Sequence, residues 1–365
     1  MRILFTANAM WNLAHFRIGL IKALLGAGHD VIALAPFDGH ETTLENLGVG
    51  VRDLAMQPNG QNPLHDARLC VRMRREYKMI NPACVLSFTI KNNIYGAIAA
   101  RHLNLQFIPN VTGLGTVFLS GPFKQRLAER LYRLAFKDLR SVFFQNNDDA
   151  ELFKSRRLVK SNQVRLLAGS GIDLHKFSAA PMQNDAITFL MIARLIREKG
   201  ITEYVEAARE IKSLDKSINF QLLGPLADNN PSGISKSTLG EWTRAGDIEY
   251  LGAASDVRPH IAAASCVVLP SYREGAPRAL IEASAMARPS ITTDVPGCRS
   301  VVEHDETGLL VAVRDSVSLR DAMLKFARMN RPEREIMGIN ARRKAEREFD
   351  ERHVIEAYKA AMGLT

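Results

Sequence analysis

The sequence predicts an α/β protein of two domains, each built on a parallel sheet with helices on its faces. Strand-like apolar runs alternate with helix-like runs from ILFTAN (residues 3–8) to residue 146, the rhythm of βαβ units. The alternation restarts at AITFLMIAR (186–194), after IDLHKFSAAPMQND (172–185), in which Ser178, Pro181 and Asn184 mark a connection. A chain of 365 residues exceeds the size at which one core keeps growing, and its 46% apolar content can fill two. The expected boundaries are 1–175 and 176–350.

The first strand follows Arg2. ILFTANAMWNLA looks superficially like a leader, but Asn8 and Asn12 interrupt it, and a strand followed by a ligand loop explains it better. AHFRIGLIKALLGAG (14–28) then reads as a helix and DVIALAP (30–36) as a second strand. The loop from Asn8 to Asn12 lacks the G-x-G-x-x-G pattern, so it is a poor dinucleotide fingerprint. Trp11 and Asn12 are candidates for lining a ligand crevice, where an indole face suits a sugar ring, with packing at a rim as the plainer reading of the Trp. His15, Arg17 and His102 are expected to be structural or surface residues.

Charge is unevenly placed. Residues 1–175 carry 22 Lys and Arg against 13 Asp and Glu, whereas residues 176–365 carry 26 of each, so the whole net charge of +9 belongs to the first part. It concentrates at Arg68, Arg72, Arg74, Arg75 and Lys78, and again in FKQRLAERLYRLAFKDLR (123–140). There Phe123, Leu127, Leu131, Leu134 and Leu139 recur at helical spacing among basic residues, which predicts a basic amphipathic helix. Lys124, Arg126, Arg130, Arg133 and Lys137, with Arg72 and Arg75, are candidates to touch an anionic membrane; a core-facing helix with a solvated basic face is the other reading. Nucleic acid is a poor fit, because there is no zinc-ligand spacing and the basic residues are not interleaved with rings.

The second half holds the densest chemistry. ITFLMIARLIREKG (187–200) runs from a strand into Arg194, Arg197, Glu198 and Lys199 before a new helix, and Arg194 and Lys199 could clamp a diphosphate from two sides. ASCVVLP (264–270) reads as a buried strand that turns at Ser271, Tyr272 and Arg273 into REGAPRALIEASAMARP (273–289). Pro277 suits a first helical turn, which sets Glu274 just before the helix and Glu282 inside it. The amides of Arg278 and Ala279 then offer an anion site, with Glu274 and Glu282 beside it as acceptors for sugar hydroxyls. Spacing alone also fits two ordinary helix carboxylates and a charged turn.

Strand-R-x4-K-G followed by E-x7-E resembles the retaining glycosyltransferases of family 4, which have the GT-B fold of two Rossmann-like domains facing each other across a cleft. LSFTIKNNIYG (86–96), NVTGLGTVF (110–118), FQNNDDAELF (144–153), AGSGIDLHKF (168–177) and LPSYREGAPRALIEASAMARPSITTDVPGC (269–298) look like the branch of PglA-type N-acetylgalactosaminyltransferases and capsule or exopolysaccharide glycosyltransferases. The resemblance spans nearly the whole chain, with its most specific motifs in the C-terminal half. It implies an acceptor-binding first domain, to which a last helix over about 351–362, within 351–365, returns, and a donor-binding second domain. Carried over residue by residue, it implies that Arg194 and Lys199 hold the donor diphosphate, Glu282 the ribose and Glu274 the donor sugar, with amides of Gly275, Ala276 and Arg278 nearby. Lys91, Asn92 and Thr112 fall in branch-like motifs as candidate acceptor contacts. The chain departs from the branch at Ala287, where Gly commonly follows the Met, and at Ala276, where a larger apolar residue is usual. No His-Asp pair of the family kind is found in the N-terminal half, so no catalytic histidine is assigned.

The function implied is retaining, metal-independent transfer of a hexose or N-acetylhexosamine, GalNAc first, from a UDP-sugar to a polyprenyl-diphosphate-linked saccharide. It is placed on the cytoplasmic face of a bacterial membrane in surface-glycan or protein-glycosylation pathways. No cofactor is expected beyond the donor substrate, and no Asp-x-Asp occurs that would cluster carboxylates around a divalent ion. The longest apolar run, IAAASCVVLP (261–270), is half what a bilayer needs, so a soluble or peripheral protein is expected, and four unpaired-looking cysteines fit a reducing compartment. A nucleotide-sugar 2-epimerase of the same fold and a noncatalytic membrane-binding protein are the alternatives.

Overall fold

The computed structural model describes residues 1–57, 62–114, 122–182, 186–228 and 230–364, without the side chains of residues 122 and 123. Residues 115–118 of the NVTGLGTVF motif, the Phe123 side chain and Asn184 therefore lie outside the described residues. The chain divides into two compact units, Met1–Gly171 with Glu351–Thr365, and Ile172–Asp350.

The first unit is a seven-stranded sheet of β1 (Arg2–Thr6), β2 (Asp30–Ala35), β3 (Gly50–Asp53), β4 (Cys84–Phe88), β5 (Gln106–Val111), β6 (Val142–Phe144) and β7 (Val164–Leu166). All pairs are parallel, in the order β3-β2-β1-β4-β5-β6-β7. The central strands are apolar on both faces because helices cover both, which is why they read as continuous hydrophobic runs. Helices α1 (Met10–Phe16), α2 (Ile18–Gly26), α3 (Glu41–Glu45), α4 (Pro63–Ile80), α5 (Ile90–Arg101), α6 (Pro122–Phe136) and α7 (Asn147–Ser155) connect the strands.

The sequence-derived apolar face of the basic helix needs correction. The core face of α6 is Ala128, Tyr132, Ala135 and Phe136, whereas Leu127 and Leu134 are each 51% exposed among the basic residues. Tyr132 and Phe136, four positions apart, turn to the interior with Ala128 and Ala135, while Leu131 and Leu139 pack at the margin of the same core. The helix also stops at Phe136, so Lys137, Leu139 and Arg140 lie beyond it.

The second unit repeats the architecture with β8 (Thr188–Ile192), β9 (Asn219–Leu223), β10 (Glu249–Tyr250), β11 (Cys266–Leu269), β12 (Ser290–Thr293) and β13 (Gly308–Val311). These are all parallel, in the order β10-β9-β8-β11-β12-β13. Its helices are α8 (Ile201–Leu214), α9 (Lys236–Arg244), α10 (Arg258–Ala263), α11 (Arg278–Ala285), α12 (Cys298–Val301), α13 (Ser316–Arg328) and α14 (Arg331–Lys344). A π-helical turn, Ala345–Phe349, leads to α15 (Glu351–Met362), which packs on α2 of the first unit. There Tyr358 is fully buried and its hydroxyl accepts a 2.9 Å bond from Asn110.

In both sheets the strand order reverses, at β1 and β4 and at β8 and β11. Connections leave such neighbours in opposite directions and open a crevice at their carboxyl ends.

Arg288 is a structural residue that the sequence motifs conceal. It is fully buried, has no carboxylate partner among the described residues, and donates to Ala264 O (2.8 Å), Ala180 O (2.6 Å), Pro181 O (2.9 Å) and Ala262 O (2.7 Å). Burial pushes its pKa down to about 10, which still leaves it charged at neutral pH. The guanidinium thereby ties the segment before β8 to the ends of α10 and α11. Replacing it with Met leaves these carbonyls without a donor, and equilibrium unfolding in urea is expected to show a loss of at least about 3 kcal/mol, with Lys at the same position recovering only part. The neighbouring Ala287 has φ 56°, a left-handed conformation at the end of α11 that favours glycine. Ala287→Gly is expected to raise stability by about 1 kcal/mol in the same measurement, and a loss would show that the methyl group packs usefully.

Candidate functional site

The two sequence motifs of the second half meet at the reversal between β8 and β11. After β8 the chain passes Arg194 and forms a 3-10 turn, Arg197–Lys199, before α8. This loop is held by the one after β9: Arg197 N donates to Ser232 O (2.8 Å), and the Ser232 hydroxyl donates to Glu198 Oε2 (2.6 Å). After β11 the chain crosses directly over it. Gly200, at φ 75°, is required there, because a Cβ on it would lie 2.1 Å from the carbonyl oxygen of Pro270.

That close approach brings Lys199 and Glu274 together as an ion pair, with side chains 21% and 13% exposed. The Ser271 hydroxyl, fully buried, donates to the same carboxylate oxygen at 2.7 Å. From the other side, the turn after β12 lies on the backbone of Glu274, where a Cβ on Gly297 (φ 83°) would come within 2.4 Å of Glu274 O. Ser271 and Gly297 both support Glu274, and both went unassigned in the sequence. The only clue to them was their place within the long 269–298 motif.

Helix α11 starts at Arg278. Pro277 is its N-cap rather than its first helical residue, and it gives no side-chain bond to the first-turn amides. The expected order survives: Glu274 precedes the helix and Glu282 lies inside it. Gly275 and Ala276 lie in the segment that joins Glu274 to α11, and Ala279 is in its first turn. Glu282 is 9% exposed, and Arg278 Nε donates to its Oε1 at 2.8 Å. Desolvation pushes the Glu282 carboxyl above its ordinary range, while Arg278 and then Lys176 pull it back. Arg194 stands at the same sheet edge but is exposed, and among the described residues no side-chain bond of its own is recorded. The ensemble places an exposed guanidinium and a paired ammonium with carboxylate acceptors beside a helix N-terminus, which suits a ligand carrying both an anionic and a polyhydroxylated part.

In the first unit the expected residues also gather at the reversal, after β1, β4 and β5. Trp11 is 39% exposed; its amide donates to Asp38 Oδ2 (2.9 Å) and its ring lies 4.8 Å from His15. Asn12 and Thr112 are half-buried. Lys91 and Asn92 have internal tasks instead. Lys91 is paired with Asp66 of α4 at 2.7 Å, both side chains 14% exposed, so its charge is already matched. Asn92 is fully buried and donates to Thr6 Oγ1 (2.8 Å) and Ala7 O (3.0 Å), closing the end of β1 onto α5. Thr89, at φ 73°, sits in a strained conformation between β4 and α5; strain of this kind concentrates at functional edges. Of the basic side chains expected to contact a membrane, Arg72 donates to Ala55 O and Arg133 to Arg156 O (3.1 Å). Lys124, Arg126, Arg130, Lys137 and Arg75 are exposed.

Comparison with known proteins gives the family and agrees with the fold. Residues 2–146 match the family model for glycosyl transferase 4-like domains, and residues 186–328 the model for glycosyl transferases group 1. The chain is 30% identical over 339 residues, 88% of each protein, to the N,N'-diacetylbacillosaminyl-diphospho-undecaprenol alpha-1,3-N-acetylgalactosaminyltransferase of Campylobacter jejuni. It is 25% identical to the UDP-Gal:alpha-D-GlcNAc-diphosphoundecaprenol alpha-1,3-galactosyltransferase of Escherichia coli, over 64% of each. Among solved structures, Anabaena HepE in complex with UDP-glucose superposes with a TM-score of 0.80 at 17% identity, covering all of both chains. With both sheets, the switch-point motifs and a relative matched along most of its length, the chain belongs to the group 1, glycosyltransferase 4-like family of GT-B glycosyltransferases.

Proposed function

We propose that this enzyme transfers an N-acetylhexosamine or hexose, GalNAc as first choice, from a UDP-sugar to a polyprenyl-diphosphate-linked saccharide, with retention at the anomeric carbon. The observation that carries the donor half is the convergence of Lys199, Glu274 and Glu282 on one sheet edge at the start of α11. The acceptor half leans on the likeness to transferases named for diphospho-undecaprenol acceptors.

In this reading a donor diphosphate draws the Lys199 ammonium away from Glu274. The lysine, with Arg194 and the amides around Gly275, Ala276, Arg278 and Ala279, balances charge on the departing nucleotide, a task that needs no metal ion. Glu274, held by Ser271, turns to the hydroxyls of the donor sugar, and Glu282 to the ribose. The leaving phosphate oxygen accepts the proton of the incoming hydroxyl on the same face of the sugar. Trp11, Asn12 and Thr112 remain the residues proposed for the acceptor.

A peripheral site on the cytoplasmic face of the membrane fits the outer surfaces of α4 and α6, which both pack on α5. Leu64, Val71 and Met79 on α4 are 70%, 70% and 50% exposed beside Arg72 and Arg75. Leu127 and Leu134 stand likewise beside Lys124, Arg126, Arg130 and Lys137. Apolar side chains among basic ones suit an anionic interface, where each basic residue contributes on the order of 1 kcal/mol. No helix among the described residues is long and apolar enough to cross a membrane.

Label from a panel of UDP-sugars, followed in EDTA with anionic vesicles, is expected to enter an organic-extractable polyprenyl-diphosphate glycan from one donor. Activity that returns only with manganese contradicts the metal-independent route, and label that stays in water as an altered nucleotide-sugar removes the lipid acceptor. Lys199→Ala should lower kcat/KM by about 100-fold or more. Glu274→Gln should reduce turnover with little change in nucleotide affinity, and wild-type turnover in that variant takes Glu274 out of the donor site.

A further inference from the structure

Glu282 combines two properties in conflict. Burial favours its neutral form, yet a carboxyl that reads hydroxyl groups works best charged, when both oxygens only accept. The charged groups facing it come from three elements. Arg278, one turn earlier on α11, gives the only direct contact recorded among the described residues, at 2.8 Å. Lys176, from the segment before β8, attracts from farther off, while Asp256, ahead of α10, repels. Asp256 is itself clasped by Arg258 through bonds of 2.8 and 2.6 Å, and Arg258 also donates to Lys176 O at 3.2 Å. The outer pair thus largely neutralises itself, and Arg278 is left as the chief support of the Glu282 charge.

We propose that Arg278 is a positioning residue whose guanidinium takes Oε1 of Glu282 and fixes the carboxylate so that Oε2 is left to the vicinal hydroxyls of the donor ribose. The proposal rests on the reading of Glu282 as the ribose contact. The two side chains stand at i,i+4 on one helix, so the helix itself holds them in register and orients the carboxylate. Guanidinium suits the task better than ammonium, because its Nε–H points in one fixed direction and gives Oε1 a single directed bond, whereas an ammonium is a rotatable point charge.

The consequence has a definite sign. Removing Arg278 raises the pKa of Glu282, so the charged reader is present at high pH and is lost as pH falls through the raised value. Calorimetry of UDP with wild type, R278Q and R278K at about pH 8 and about pH 6 tests this, because changes in phosphate ionisation cancel in the ratio of variant to wild-type Kd. For R278Q that ratio is expected to grow at least about fivefold on acidification, while R278K, which keeps the charge, holds it nearly constant. With 2′,3′-dideoxy-UDP, which has no hydroxyls to read, wild type should bind more weakly and the R278Q ratio should not move with pH. A pH-independent R278Q ratio for UDP overturns the role of Arg278 and leaves the ribose reading standing. Equal wild-type affinity for UDP and its dideoxy analogue overturns the ribose reading and the proposal with it. R278L, a good helix former, replaces R278Q in the same comparison if R278Q does not fold.

Discussion

The contact between Gly200 and the carbonyl of Pro270 governs the second unit. Two neighbouring parallel strands, β8 and β11, send their chains off in opposite directions, and their first loops must pass each other at the sheet edge. Backbone can pass backbone at that distance only where no side chain intervenes, and the left-handed φ of 75° at Gly200 meets the same requirement. Everything chemical follows from this crossing. Lys199 precedes the glycine by one residue and Glu274 follows Pro270 by four, so their ion pair is a product of the crossing rather than of either loop alone.

The same unit satisfies buried charge in two ways. Arg288 lies among carbonyl oxygens that cannot move or titrate, which makes a fixed joint of three segments. Glu282 and Glu274 are paired with side chains that can exchange one partner for another, Arg278 and Lys199. Carbonyl coordination suits a residue that holds the fold, whereas an ionic pair leaves carboxylate oxygens with lone pairs that can accept a further bond.

In the first unit, polar side chains that look available in the sequence are largely used to close the sheet edge. Asn92 bonds the end of β1, Asn110 reaches Tyr358 of α15, and Lys91 is matched by Asp66. Buried polar atoms in a low-dielectric interior need such partners, so the carboxyl edge of β1, β4 and β5 is stiffened from within. What remains exposed there, Trp11 above all, is carried on that bonded frame. The leucines exposed on α6 follow from the same competition for interior space, because Tyr132 and Phe136 fill it first.

The sequence by itself determined the two-sheet α/β class, the strands that start each motif, and which polar residues stand at the carboxyl edge of β8 and β11, because alternating apolar runs and the spacing of Arg194, Lys199, Glu274 and Glu282 are local properties of the chain. It also showed which part of the chain is basic. Tertiary structure alone decided which residues touch: that Lys199 meets Glu274, that the Arg278 side chain engages Glu282, that Ser271 and Gly297 support the loop, and that Arg288 joins three segments. It likewise turned Lys91 and Asn92 inward and Leu127 and Leu134 outward. The physical reason is common to all of these. Periodicity fixes how a residue faces along its own element, but partners are set by the order of strands in the sheet and by which side chains fill a shared interior, and neither is written in the spacing of one segment.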